Sequence, residues 1–230
     1  MLTGKGLLDP LQREFLAFFA SLPDQDQFFL TGGTALAEYY LGHRLSYDLD
    51  FFTGQAGLVL PMSFQIEQKG AGLGFDITVV RRFATYVEFS VARKEARIKV
   101  DLALDSPFRF EAPLRSEYGV LVNDFLDARV DKVLAYYGRA EPRDAVDLYW
   151  IVQQEPIQPL LDRALQKDPG FDLYWMAIAL NRAADFPNDL ERWPVKMLQL
   201  FDPAQLKQTF EQLAQDILDG IAGRSMPNAE

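Results

Sequence analysis

The chain has no cysteine and one histidine, His43. Disulfides and thiolate metal sites are excluded, and so is a zinc site built from several imidazoles. Any metal ion here must be held by oxygen. No apolar run approaches the roughly 18 residues needed to cross a bilayer, and the opening MLTGKGLLDPLQREF lacks the charged-then-apolar pattern of a secretory signal. A cytoplasmic protein with no membrane partner is the expectation. Basic residues are also scarce: 23 Lys and Arg stand against 33 Asp and Glu, a formal net charge of −10. That balance argues against a broad DNA-binding surface and leaves room only for a local basic patch, such as one holding an RNA end.

What is present suits a folded core. In 230 residues, 49% are hydrophobic and 13% aromatic, enough for one large domain or a core with a helical appendage. No internal repeat is visible, and only the last residues, Arg224 to Glu230, read as unstructured.

The stretch that organises the rest is Phe28 to Phe52, FFLTGGTALAEYYLGHRLSYDLDFF. An apolar run, Phe28-Phe29-Leu30, breaks at Gly32-Gly33-Thr34. An Ala-rich segment, Ala35 to Leu41, stops at Gly42, and a second apolar run carries Asp48 and Asp50. The pattern predicts strand, glycine turn, helix, and a strand bearing Asp-x-Asp. Side chains alternate along a strand, so Asp48 and Asp50 are expected on one face, with Leu49 and Phe51 turned into a core. Two neighbouring carboxylates repel unless a cation sits between them. Mg²⁺ (or Mn²⁺) is the hard ion that commonly shares its shell with substrate phosphates. The glycine turn offers the complementary half: N–H groups at a helix start bind anions, and glycine lets phosphate approach the main chain. Gly32, Gly33 and Thr34 are therefore expected to hold phosphates, the Thr34 hydroxyl adding a donor.

The flanks read as support for this site. Leu8 to Ser21 has helical apolar spacing, entered through Asp9-Pro10, and Met62 to Lys69 is a short helix. Asp76 to Arg82, Thr85 to Ala92 and Arg97 to Leu104 alternate as strands, the last placing Ile98, Val100, Leu102 and Leu104 on one face and Lys99, Asp101 and Ala103 on the other. Asp105 to Tyr118 is an irregular connection, and from Val122 the pattern is helical nearly to the end. Asn123 or Asp124 caps the first of these helices, and Glu141-Pro142 opens the second. The aromatics Phe171, Tyr174, Trp175 and Trp193 are expected to pack helices together. His43 follows a helix-ending glycine, where an imidazolium suits the helix dipole. Arg44 either pairs with a site carboxylate or reaches substrate phosphate.

The string GGTALAEYYLGHRLSYDLDFF closely resembles the AbiEii/AbiGii toxin family of the nucleotidyltransferase superfamily, which comprises bacterial toxins of toxin–antitoxin and phage-abortive-infection systems. The resemblance implies an α+β (mixed α/β) fold: a nucleotidyltransferase core with a mixed β-sheet over residues 1–118, then a C-terminal helical region over 119–230 that completes the nucleotide site. It implies a metal set of Asp48, Asp50 and Asp101, the third carboxylate coming from a later core strand. In DKVLAYYGRAEPRDAVDLYWI it implies a second motif, with Lys132 contacting nucleotide phosphate and Asp144 a functional acid. Asp147 instead orders the hairpin by pairing with arginine, and Arg143 is a structural fork to a carboxylate. The implied activity is transfer of NMP from an NTP to an acceptor hydroxyl. A tRNA end is the first candidate acceptor, and an antitoxin is encoded alongside. The rival readings are a nucleotide-binding regulatory protein without turnover and a transferase acting on a small molecule such as an antibiotic.

Overall fold

The computed structural model describes residues 1–225. The chain forms two compact units, Met1–Ala128 and Arg129–Glu230. Of the tail expected to be unstructured, Arg224 and Ser225 close the last helix, and the remainder lies outside the described residues.

The first unit opens with α1 (Pro10–Ala20), where Asp9 is the N-cap. The Asp9 side chain accepts from the Gln12 N–H at 2.8 Å, and Gln12 Oε1 accepts from the Asp9 N–H at 2.9 Å. This reciprocal box satisfies two N–H groups that a helix start leaves open. β1 (Phe29–Thr31) runs straight into α2 (Gly32–Ala35), which continues as a wide π-turn over Leu36–Leu41. The glycines therefore form the first turn of this helix instead of a loop before it. Gly42 ends it at φ +67°, a conformation open to glycine, and the fully buried His43 follows. Then come β2 (Arg44–Leu45), β3 (Leu49–Thr53), α3 (Val59–Gly72), β4 (Asp76–Phe83), β5 (Tyr86–Arg93) and β6 (Ala96–Leu104). A small hairpin, β7 (Leu114–Arg115) and β8 (Leu121–Val122), leads into α4 (Phe125–Arg139).

All of these strands except β2 form one mixed sheet of seven, in the order β4-β5-β6-β3-β1-β8-β7. β3 pairs parallel with β6 and β1 parallel with β8, while the other neighbours are antiparallel. One face is apolar: Leu49 and Phe51 of β3, Val100 and Leu102 of β6, and Val87 and Phe89 of β5 are all fully buried. Aromatic side chains of α1 pack on it. The Phe19 and Phe51 rings stack at 3.9 Å, and Phe15 sits 6.4 Å from Phe51. Each such side chain contributes roughly 1.5–3 kcal/mol by leaving water. The same burial fixes register, because a one-residue slip of β3 would drive Asp50 into the phenylalanines.

The expected break after residue 118 falls ten residues later in the structure. β8 is the reason: it pairs with β1 through Phe29↔Leu121 and Leu30↔Val122, and the Asn123 N–H donates to the Leu30 carbonyl at 2.8 Å. These bonds hold the segment to the sheet up to the start of α4.

The second unit is helical. The rest of α4 is followed by α5 (Pro142–Val152), α6 (Gln158–Lys167), α7 (Leu173–Asn181) and α8 (Pro203–Ser225). Val133, Tyr136, Leu148, Leu160, Leu180 and Phe210 are fully buried, with the Tyr136 and Phe210 rings edge-on at 5.3 Å. Phe171 and Trp193 pack inside as expected. Tyr174 and Trp175 do not: they are 49% and 57% exposed. α7 turns Met176, Ala177 and Leu180 inward, so the two aromatics of its first turn fall on the other side of the helix.

Candidate active site

On the sheet face opposite the phenylalanines, four strands each contribute one polar side chain to a single line. Thr31 of β1 lies across from Asp50 of β3, Asp50 beside Asp101 of β6, and Asp101 across from Glu88 of β5. Neighbouring strands run about 4.8 Å apart, so Asp50 and Asp101 stand in each other's field. Asp48 lies one residue ahead of β3. Its carbonyl accepts the Thr34 hydroxyl proton. Thr34, a phosphate donor on the sequence pattern, is thus buried and acts on the position of Asp48, with no hydroxyl proton left for a ligand.

The glycine turn touches this line. Gly32 has φ +70°, and a methyl added there would land on Oδ2 of Asp50. A methyl on Gly33 would meet the Arg44 guanidinium and, at 3.1 Å, Ser46 Oγ. Arg44 is buried and donates to the Leu45 carbonyl at 3.0 Å. Gly32→Ala is therefore expected to cost about 1–3 kcal/mol, because an L side chain is strained at this φ and would also push Asp50 away. The melting temperature should fall, and an unchanged one would show that the turn tolerates a side chain.

Asp101 is the buried carboxylate of the line. Its Oδ2 accepts from Lys99 Nζ at 2.6 Å. The Tyr86 hydroxyl lies near enough to favour the carboxylate, but its well-formed hydrogen bond runs to Glu88 Oε2 at 3.2 Å. Oδ1 of Asp101 is left buried without a hydrogen-bond partner. Burial pushes the Asp101 carboxyl above its ordinary range, and the bond and charge of Lys99 oppose that without cancelling it. For Lys99, burial disfavours the charge. The bond to Asp101 and the fields of Asp101, Asp50 and Asp48 outweigh it, so the ammonium is held above its usual pKa.

Among the described residues, no three Asp, Glu or His side chains are gathered closely enough to cage a metal ion. Mg²⁺, however, is usually held by one or two carboxylates together with substrate phosphates, not by an all-protein cage. The Asp50–Asp101 register and the unpartnered Oδ1 of Asp101 fit such a shared ion.

Two contributors to this region carry weak signals in the sequence. Lys99 is one: it precedes Asp101 by two residues, the same-face spacing that singles out Asp48 and Asp50. Asn123 is the other. On the sequence pattern it is one of two alternative helix caps, and the cap is Asp124, whose Oδ1 accepts from the Leu126 N–H at 2.7 Å. Burial and the neighbouring Asp127 push the Asp124 carboxyl up to about 6. Asn123 instead donates from Nδ2 to Thr31 Oγ1 at 3.0 Å, and its carbonyl accepts from the Tyr40 hydroxyl at 2.6 Å. It pins the residue just before the glycine turn.

In the second unit the other motif residues meet each other. Lys132 Nζ lies 2.6 Å from Asp144 Oδ1 and 2.9 Å from Asp147 Oδ2, and all three side chains are almost wholly buried. Arg139 NH2 donates to Asp144 Oδ1 at 3.0 Å, with a second bond from Nε to Oδ2. Lys132 thus ties Asp144 and Asp147 of α5 to α4 across the hairpin. Arg143 is exposed and stands 3.9 Å from Glu141 Oε2.

The model of the AbiEii family (nucleotidyl transferase AbiEii toxin, type IV TA system) matches residues 14–220. No curated protein matches by sequence. Among solved structures, the nucleotidyltransferase toxin MenT4 of Mycobacterium tuberculosis H37Rv superposes with a TM-score of 0.58 at 19% identity, covering 91% of this chain and 82% of that one. A putative nucleotidyltransferase from Helicobacter pylori gives 0.57 at 20% identity, covering 96% and 100%. JHP933 from Helicobacter pylori gives 0.55 at 20% identity, covering 94% of each chain. The mixed sheet with its helices is the fold they share. No helix among the described residues is long and apolar enough to cross a membrane.

Proposed function

Because the chain belongs to the AbiEii nucleotidyltransferase toxin family of type IV toxin–antitoxin systems, we propose that its acidic line is the catalytic centre of a metal-dependent transfer of NMP from an NTP to an acceptor hydroxyl. The observation that carries this reading is the contact between Gly32 and Asp50. A phosphate resting on the glycine turn would lie directly beside the carboxylates, so anion site and cation site are one. Asp50 and Asp101, with Asp48 just ahead on the chain and the triphosphate completing the shell, would hold Mg²⁺ or Mn²⁺, which would neutralise triphosphate charge and stabilise the departing pyrophosphate. The N–H groups of the Gly32–Gly33 turn bind phosphate oxygens. The Thr34 hydroxyl holds Asp48 by donating to its carbonyl, and Asn123 Nδ2 holds Thr31 by donating to its Oγ1. The acceptor hydroxyl gives up its proton to solvent as its oxygen forms a bond to the α-phosphorus, the bond from the α-phosphorus to the oxygen bridging the β-phosphate breaks, and pyrophosphate leaves.

A family of toxin–antitoxin systems implies a cognate antitoxin. We assign a tRNA end as acceptor and growth arrest, including arrest during phage infection, as the outcome, both supported by the family resemblance. The chemistry proposed here rests on residues of the first unit. Lys132 and Asp144, which the resemblance links to the nucleotide, are bonded to each other, and their first assignment is to the hairpin.

The test is transfer from each of the four α-³²P-labelled NTPs, with Mg²⁺, into total bacterial RNA and protein, with Asp48→Ala beside the parent. Label in a tRNA-sized band that disappears with the variant is the expected result. Label in protein would keep the reaction and replace the acceptor. Nucleotide binding without any label would overturn the transfer reading in favour of a regulatory protein.

A further inference from the structure

We propose that Lys99 is a built-in counter-cation that holds down the affinity of the Asp48–Asp50–Asp101 set for a bare divalent ion, so that the ion enters together with nucleotide phosphates. The proposal rests on the metal reading above and concerns how that site is regulated. Its basis is geometric. Lys99 lies on the same face of β6 as Asp101, two residues back, with Nζ 2.6 Å from Oδ2. The Asp101 side chain is 10% exposed and that of Lys99 40%, so the ammonium keeps contact with solvent while Oδ1 of Asp101 is buried without a donor. Asp101 is the register neighbour of Asp50. A dication held by Asp50 and Oδ1 of Asp101 would therefore feel the repulsion of a positive charge already seated on the same carboxylate.

Two roles for this lysine predict opposite signs. If Lys99 merely orients Asp101, its removal weakens metal binding, as loss of a hydrogen bond to a ligating carboxylate normally does. If it is a competing cation, its removal strengthens binding. An opposite charge within 4–6 Å changes a neighbour's ionisation by about tenfold or more, and the effect on a dication has at least that size. A nucleotide brings its own negative charge and its own metal ligands, which offset the repulsion.

The experiment is Mn²⁺ binding to the full-length protein, followed by the free-ion electron paramagnetic resonance signal, for the parent, Lys99→Met, Lys99→Arg and Asp50→Asn. Without nucleotide, Lys99→Met should bind about tenfold more tightly than the parent, and Lys99→Arg like the parent. With a non-hydrolysable NTP analogue the gap should narrow. Equal or weaker binding by Lys99→Met, with binding still lost in Asp50→Asn, would overturn this proposal and leave the metal reading standing. Absence of any Asp50-dependent binding, with or without the analogue, would overturn both.

Discussion

Asp50→Asn is expected to lower nucleotidyl transfer by about a thousandfold or more while the protein melts at the same temperature or slightly higher. The activity side follows from charge. A bound metal ion provides several kcal/mol of transition-state stabilisation, and each 1.36 kcal/mol is a factor of ten in rate. Asparagine keeps the shape of aspartate but gives up the charge that would hold the proposed ion. The stability side follows from register. Asp50 and Asp101 are direct neighbours on β3 and β6, and like charges so placed destabilise a sheet by roughly 0.2–1 kcal/mol. Removing one of them relieves that cost. Leu49 and Phe51, which tie β3 to the core, are untouched. Loss of activity with a preserved or raised melting temperature is the signature of a site that trades stability for chemistry. Transfer within tenfold of the parent would remove Asp50 from the catalytic set, and a large fall in melting temperature would make it a structural residue.

The sequence makes the site legible where the physics is local. Strand, glycine turn and helix follow from an apolar run broken at Gly32-Gly33, and alternation assigns Asp101 to the polar face of its strand. What is not legible is non-local. β7 and β8 are two residues each, too short for any period to show, and β8 belongs to the sheet only because β1 accepts it in parallel. That pairing shifts the unit boundary and brings Asn123 onto Thr31. The Lys99–Asp101 bond was within reach of the i, i+2 rule, but a lysine on a strand usually points to solvent, and only burial of its partner gives the pair weight. Likewise the first turn of α7 presents Tyr174 and Trp175 outward, since Met176, Ala177, Ala179 and Leu180 make its buried face.

The largest stability effect is expected in the second unit. Lys132→Met should destabilise it by about 3–5 kcal/mol, the usual consequence of leaving a buried charge without its partner. Asp144 would keep its bonds to Arg139, but both carboxylates would lose the lysine they share at a site where the three side chains are 6%, 2% and 0% exposed. The triple variant Lys132→Met, Asp144→Asn, Asp147→Asn removes the buried negative charges together with the lysine and should recover most of the loss. Acidity provides a second check. Burial pushes the Asp144 carboxyl up, but Lys132 and Arg139 more than reverse this and hold it below its ordinary range. A carboxyl lowered by folding stabilises fully above its unfolded value of about 3.9 and loses that contribution as the pH falls through its folded value. The gap in stability between parent and Lys132→Met should therefore be widest near neutrality and close below about pH 4. If Lys132→Met instead abolished transfer with both stability and its acid dependence unchanged, the lysine would be a phosphate contact, and the burial of its ammonium between two aspartates would have to open when nucleotide binds.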